Sequence, residues 1–275
     1  MENRVARGRR DRLRGAALDL LAGTHSRYPD ARRDAAYTRS YRTIRLVVGG
    51  LGILLPVLLI LGEAYYLPGP LHVRGSLSAY YHTSMEDVFV GVLCVIGVLL
   101  ATYMSGEPRT WDFRVSLLAG IAVLGVVFFP MARTDLPPGS PPCGTLPAPP
   151  GCTFVEQALG EQRTAQIHLV CAGVFIACLM LMSMLFAASQ VLPDTEAPDA
   201  FERRPRRPAV FWTHAACALA ILAGGLWAVV GGVLGIDIGG LPPVYLGEVV
   251  CVWAFGISWL LAGISLTAPA RFGRS

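Results

Sequence analysis

The chain has 275 residues, of which 53% are hydrophobic and 15% charged, and its mean hydropathy is +0.51. A water-soluble domain of this length cannot hide so much apolar surface, so the composition places the chain in lipid. The formal charge of +4 rests on arginine alone among the basic side chains, and no GxSxG elbow, Walker loop or Rossmann fingerprint anchors a soluble-type hydrolase, ATPase or dehydrogenase.

Residues 1–43 are polar. Twelve arginines lie between Arg4 and Arg45, interleaved with acids, and no apolar run is long enough for a signal-peptide core. The arginines suit anionic lipid headgroups, and ALDLLAG suits a short amphipathic helix. Interleaved acids and sparse aromatics argue against nucleic acid as a partner. The segment reads as a solvated cytoplasmic tail.

Six apolar segments follow, at 44–63, 87–105, 115–132, 164–188, 209–234 and 245–267, each near the roughly 20 residues that a bilayer core demands. They predict an all-α polytopic membrane protein, a six-helix transmembrane bundle over 44–267 with a short tail at 268–275. With the first segment leaving the cytoplasm, twenty of the 23 arginines fall on the inner side and only Arg74, Arg133 and Arg163 on the outer. That asymmetry is expected when both termini are cytoplasmic. Gly49, Gly50, Gly52, Gly120, Gly125 and the Gly231/Gly235 pair offer small faces for close helix approach, within the chain or between copies. Pro56 favours a kink in the first span.

Between the first two segments lies GSLSAYYHTSMEDVFVG, Gly75 to Gly91. Ser84 with Asp87 forms one capping-box pattern and Thr83 with Glu86 another, and tyrosines are at home where water meets lipid. Capping accounts for both acids without any chemistry. His82 and the Ser76-x-Ser78 pair are not absorbed so easily, and an ionisable group at a membrane mouth invites a functional reading.

The outer loop from Met131 to Arg163 is rich in proline, which favours extended backbone. It holds Cys143 and Cys152, the only two of seven cysteines outside the spans. On an oxidising face, across a short Pro/Gly turn, they are expected to form a disulfide. Cys94, Cys171, Cys178, Cys217 and Cys251 sit at helix positions where a free cysteine behaves as a small hydrophobe, and no CxxC supports a thiolate metal site.

The topology sends His72, His82, Asp87, Arg133, Asp135, His168, Asp237 and Glu248 to the outer mouth, and His214 toward the cytoplasmic face. His168 and Glu248 each stand about one turn inside a span, where an ionisable group is costly unless it faces the bundle and finds a partner. Ser76, Ser78, Tyr81, His82, Asp87, His168 and Glu248 thus form a candidate polar pocket. His82, Asp87, His168 and Glu248 carry the donor types that hold zinc or another divalent ion, although directly hydrogen-bonded imidazole and acid groups need no metal. Ser76 or Ser78 with His82 as base is a weaker nucleophilic arrangement, and buried acids and histidines also relay protons in carriers.

GSLSAYYHTSMEDVFVG, the IHLV that opens the fourth segment and GEVVCVWAFGISWLLAG in the sixth resemble an uncharacterised family of six-helix bacterial membrane proteins of actinobacterial type. The layout is more distantly similar to the DRAM/Frag-type six-helix proteins. The resemblance implies a plasma-membrane protein and no particular reaction, with a lysine near the end of the last helix where this chain has Ala262. A looser similarity to the alkaline ceramidase and progestin-receptor type of membrane hydrolases implies a metal-assisted hydrolase acting on a lipid; those proteins have seven helices and an HxxxH pair that this chain lacks. Three functions therefore stand open: a non-enzymatic module binding a lipid or an envelope partner, a metal-assisted lipid hydrolase, and a small proton-coupled carrier.

Overall fold

A computed structural model describes residues 30–67, 69, 73–104, 109–133, 136–137, 139–191 and 208–265, with side chains from residue 39 onward. The arginine-rich tail up to residue 29, His72, Asp135, Arg203, Arg204, Arg206, Arg207, Arg271 and Arg274 lie outside the described residues. The chain divides between Tyr41 and Arg42 into two units, and the fold that follows is that of the second.

Regular structure among the described residues is helical: α1 (Asp30–Tyr66), a 3-10 turn (Ser78–His82), α2 (Glu86–Thr102), α3 (Trp111–Phe128), α4 (Phe154–Leu159), α5 (Glu161–Ala188), α6 (Pro208–Leu234) and α7 (Pro243–Ser265). Five of them are long and apolar enough to cross a bilayer: Arg39–Tyr66 within α1, and α3, α5, α6 and α7. In lipid the backbone must satisfy its own polar groups, which is why apolar segments of this length fold as helices and not as open sheet. The second predicted segment, 87–105, is shorter than expected. Its helix α2 has 17 residues and stops at Thr102, because Tyr103 is extended and Met104 takes a positive φ of 56°. The third, expected over 115–132, starts earlier, at Trp111, where the Thr110 hydroxyl accepts the Phe113 amide at 3.2 Å, and it ends ahead of Pro130.

Packing follows chain order, with α2 against α3, α3 against α5, α5 against α6 and α6 against α7. Glycines set the closest crossings. A Cβ on Gly247 of α7 would lie 2.4 Å from the Gly224 carbonyl of α6, one on Gly49 of α1 would lie 2.8 Å from the Gly256 carbonyl of α7, and one on Gly120 of α3 would lie 2.7 Å from the Gly97 carbonyl of α2. Gly49 and Gly120 thus serve packing within the chain. Gly50 meets nothing, and Gly235 ends α6 in a turn with φ of 64°. Helix association in lipid depends on such close backbone approach, because burying apolar surface gives no advantage there.

Replacing Gly247 by Val therefore forces α6 and α7 apart. Thermal unfolding in detergent should show a loss of roughly 1 to 3 kcal/mol, the usual cost of overpacking, whereas Gly50→Ala, whose Cβ would meet nothing, should not lower the midpoint.

Candidate functional site

The loop end of the bundle carries the Gly75–Gly91 stretch and the proline-rich loop after α3. The 3-10 turn Ser78–His82 is closed by a hydroxyl at each end. Ser76 Oγ accepts the Ala79 amide at 3.0 Å and donates to Met131 Sδ at 3.4 Å. Thr83 Oγ1 donates to the Tyr80 carbonyl at 2.8 Å and accepts the Met85 amide at 3.1 Å. Neither expected capping box forms, because Thr83 serves the turn and α2 starts only at Glu86, behind Met85, whose side chain provides no cap. Short polar side chains that bond nearby backbone compete with a helix start in this way. Ser84 and Asp87 are exposed, and Asp87 remains a first-turn carboxylate at the positive end of the α2 dipole.

The histidines hold the end of α3. His168 Nδ1 donates to the Phe129 carbonyl at 2.7 Å, and His82 Nε2 donates to the Met131 carbonyl at 2.7 Å. A carbonyl only accepts, so these two nitrogens carry the protons. The last carbonyls of a helix have no partner within it, and Pro130 prevents the chain from continuing, so the imidazoles supply donors that the backbone lacks. His82 Nε2 also lies 3.7 Å from Glu156 Oε1, a buried carboxylate oxygen with no hydrogen bond. The Tyr81 ring packs on His82 and on Phe89, with centroids 5.3 and 6.3 Å away. Burial raises the Tyr81 hydroxyl above its ordinary range, and the Glu86 and Glu156 charges add to the effect.

A locked loop lies over this end. Cys143 and Cys152 stand as the expected disulfide pair, 5.7 Å apart at Cα. Arg133 binds Glu161 through Nε and Nη2 and donates to the carbonyls of Pro150 and Pro141, while its own amide meets Glu161 Oε1 at 2.8 Å. Gln157 takes the Gly144 amide and donates to the Thr145 carbonyl. A capping box that the sequence reading missed, Thr153 with Glu156, starts α4, and Gly160, with φ of 84°, turns the chain directly into α5 in a conformation that side-chain-bearing residues avoid.

Two concavities result. The first is a cleft of about 260 Å³ between the turn and the loop, lined by His82, Thr83, Glu86, Arg133, Leu136, Pro150 and Gly151. The second is a partly open cavity of about 60 Å³ inside the bundle, where Leu55, Phe89, Val123 and Phe175 surround the side chains of Ser78 and Glu248. Glu248 Oε2 accepts the Leu77 amide at 2.6 Å. The seven expected pocket residues are thus divided: Ser78 and Glu248 face the inner cavity, His82 lines the cleft with Tyr81 packed behind it, Ser76 and His168 serve the backbone, and Asp87 faces outward.

His82, Asp87, His168 and Glu248 do not form the expected ligand set for zinc or another divalent ion. Among the described residues only Cys143, Glu156 and Glu161 bring three such ligand atoms within 4.8 Å of one another, and the Cys143 sulfur is bonded to Cys152. Compared with protein families, with curated proteins and with solved structures, the chain finds no match in any of the three.

Sequence reasoning missed three further polar groups. Glu63, 3% exposed at the end of α1, pairs with Arg74, whose Nε approaches Glu63 Oε1 to 2.8 Å; two lone opposite charges flanking the first loop were the available signal. Tyr80 is fully buried, its hydroxyl raised by burial and then by Glu63. At the opposite end of the bundle Arg45 donates to the Tyr103 hydroxyl at 2.8 Å and to the Ala262 carbonyl at 3.1 Å, and stacks 4.7 Å over Phe186.

The loop depends on Arg133. In Arg133→Met the Glu161 carboxylate keeps its burial and loses its counter-charge, which should cost roughly 2 to 3 kcal/mol, below the range for a fully buried pair. Hydrogen exchange should show the Cys143 amide, which donates to Glu161 Oε2, losing protection ahead of amides in α5.

Proposed function

We propose that the protein is a six-span bacterial plasma-membrane protein with both termini in the cytoplasm, and that its outer cleft binds the polar headgroup of a membrane lipid. The observation that carries this reading is the cleft itself. At about 260 Å³ it approaches the lower end of the volume common for small-molecule sites, about 300 Å³, and its walls are fixed before any ligand arrives. The disulfide, the Arg133 ion pair and the Thr153–Glu156 cap immobilise one wall, and the His82 hydrogen bond to Met131 immobilises the other. A preorganised wall lowers the ordering cost of binding. Glu86, exposed at the rim, and His82 offer a polar headgroup a hydrogen-bond acceptor and a ring face.

In this reading α2 is the sixth span. Its 17 residues give about 25 Å at 1.5 Å per residue, slightly short of the hydrocarbon core, a mismatch that a bilayer accommodates by local thinning. The arginine asymmetry supports the orientation, and the resemblance of Gly75–Gly91 to six-helix bacterial proteins supports the location. A binding module fits better than a metal-assisted hydrolase, because among the described residues His82, Asp87, His168 and Glu248 bring no three ligand atoms within 4.8 Å of one another.

Reporter fusions should place both ends of the chain in the cytoplasm; an outward C-terminus would overturn the orientation and with it the outer position of the cleft. Native mass spectrometry of the protein extracted from membranes should show retained lipid, and His82→Gln with Glu86→Gln should lose most of it. Retention equal to the unsubstituted protein would refute the cleft as the lipid site.

A further inference from the structure

The inner cavity holds a carboxylate without a cation. Glu248 accepts one backbone amide, from Leu77, and among the described residues no ion pair includes it. Of the three arginines at the loop end, Arg74 pairs with Glu63 and Arg133 with Glu161, and Arg163 is exposed in the first turn of α5; Arg45 is at the opposite end of the bundle beside Ala262. Removing one charge from water without a partner is expensive, and acids inside membrane bundles typically face a cation, a relay or a ligand.

We propose that this cavity is a binding site for a small alkylammonium cation, its nitrogen on Glu248 and Ser78 and its alkyl part against Phe89, Phe175 and Leu179. The chemistry follows from the lining. An ammonium presents three donors and no acceptor, matching the carboxylate and hydroxyl oxygens, and the rest of the wall is hydrocarbon. Divalent metals ask for more oxygen or nitrogen ligands than Glu248 and Ser78 supply, and the thiol of Cys251, which also lines the cavity, donates to the Ile221 carbonyl at 3.3 Å. An anionic ligand would set like charges together. Size limits the tail: about 60 Å³ is well below the roughly 150 Å³ of an apolar cavity that holds benzene, so the cation carries a few carbons and not a lipid chain. The site is separate from the headgroup cleft, since the 3-10 turn places Ser78 in one and His82 in the other.

The test uses the full chain in lipid nanodiscs, titrated calorimetrically with ethylammonium chloride, ethanol and sodium acetate. Ethylammonium should bind saturably, and the alcohol and the carboxylate should not. Glu248→Gln keeps an oxygen for the Leu77 amide and should weaken ethylammonium binding by about tenfold or more, the loss of a charge-assisted contact. Ala172→Leu fills the cavity from α5, leaves the carboxylate in place, and should weaken binding likewise; it decides the matter if the Glu248 variant does not fold. Equal titration by amine and alcohol, absence of saturation by ethylammonium, or unchanged binding in folded variants would each overturn the proposal. None of these outcomes bears on lipid retained at His82 and Glu86.

Discussion

The loop end of the bundle hangs on the termination of one helix. α3 stops at Phe128 ahead of Pro130, and the carbonyls that follow are taken by His168 from α5 and His82 from the 3-10 turn. A helix end in or near lipid cannot leave its carbonyls to water. Two imidazoles at one helix terminus therefore tie three elements together: α3, α5 and the turn that precedes α2. Removing either hydrogen bond would free the segment from which the locked loop departs, because Arg133 follows Met131 by two residues.

The same constraint sorts the other polar groups. Four of the hydroxyls and carboxylates near the turn satisfy a backbone group: Ser76 the Ala79 amide, Thr83 the Tyr80 carbonyl, Glu156 the Thr153 amide, Glu248 the Leu77 amide. What resembles a cluster of catalytic residue types in one dimension is to a large extent a set of replacements for missing backbone hydrogen bonds. The groups left over after that assignment are few. Glu156 Oε1, Glu63 Oε2 and the Tyr80 hydroxyl are buried without a hydrogen bond, and Glu248 retains contact with a cavity.

Helix positions were legible because apolar length is a local property of the chain, and five helices long and apolar enough to cross a bilayer could be read directly. The second predicted segment was overextended because nothing in LATYMSG marks the point where Met104 adopts a positive φ. The disulfide pair was legible from composition and spacing, whereas the capping box at Thr153 was hidden by attention to the prolines before it. The pocket expectation placed His82, Asp87, His168 and Glu248 at a similar depth, but depth says nothing about the direction in which a side chain leaves its helix, and Asp87 is exposed. The Glu63–Arg74 pair left only a weak trace, two lone opposite charges eleven residues apart across a loop, with Glu63 closing an apolar segment.

Arg45 shows how a charge can be supplied from another element. Its guanidinium meets the Ala262 carbonyl, the Tyr103 hydroxyl and the Phe186 ring, and Tyr103 and Phe186 both stack on Trp259, at 5.2 and 5.6 Å. A planar cation suits this setting better than an ammonium would, because it bonds at its edge while stacking on an aromatic face. The bundle is thus held polar at both ends by different means, imidazoles on backbone at the loop end and a guanidinium among aromatics at the other. The middle is apolar, and the glycine contacts Gly49–Gly256 and Gly97–Gly120 bring its helices to close approach. A bundle pinned at its ends and crossed that tightly has few places to relax around an acidic side chain, so Glu248 takes its one backbone donor and keeps the cavity beside it.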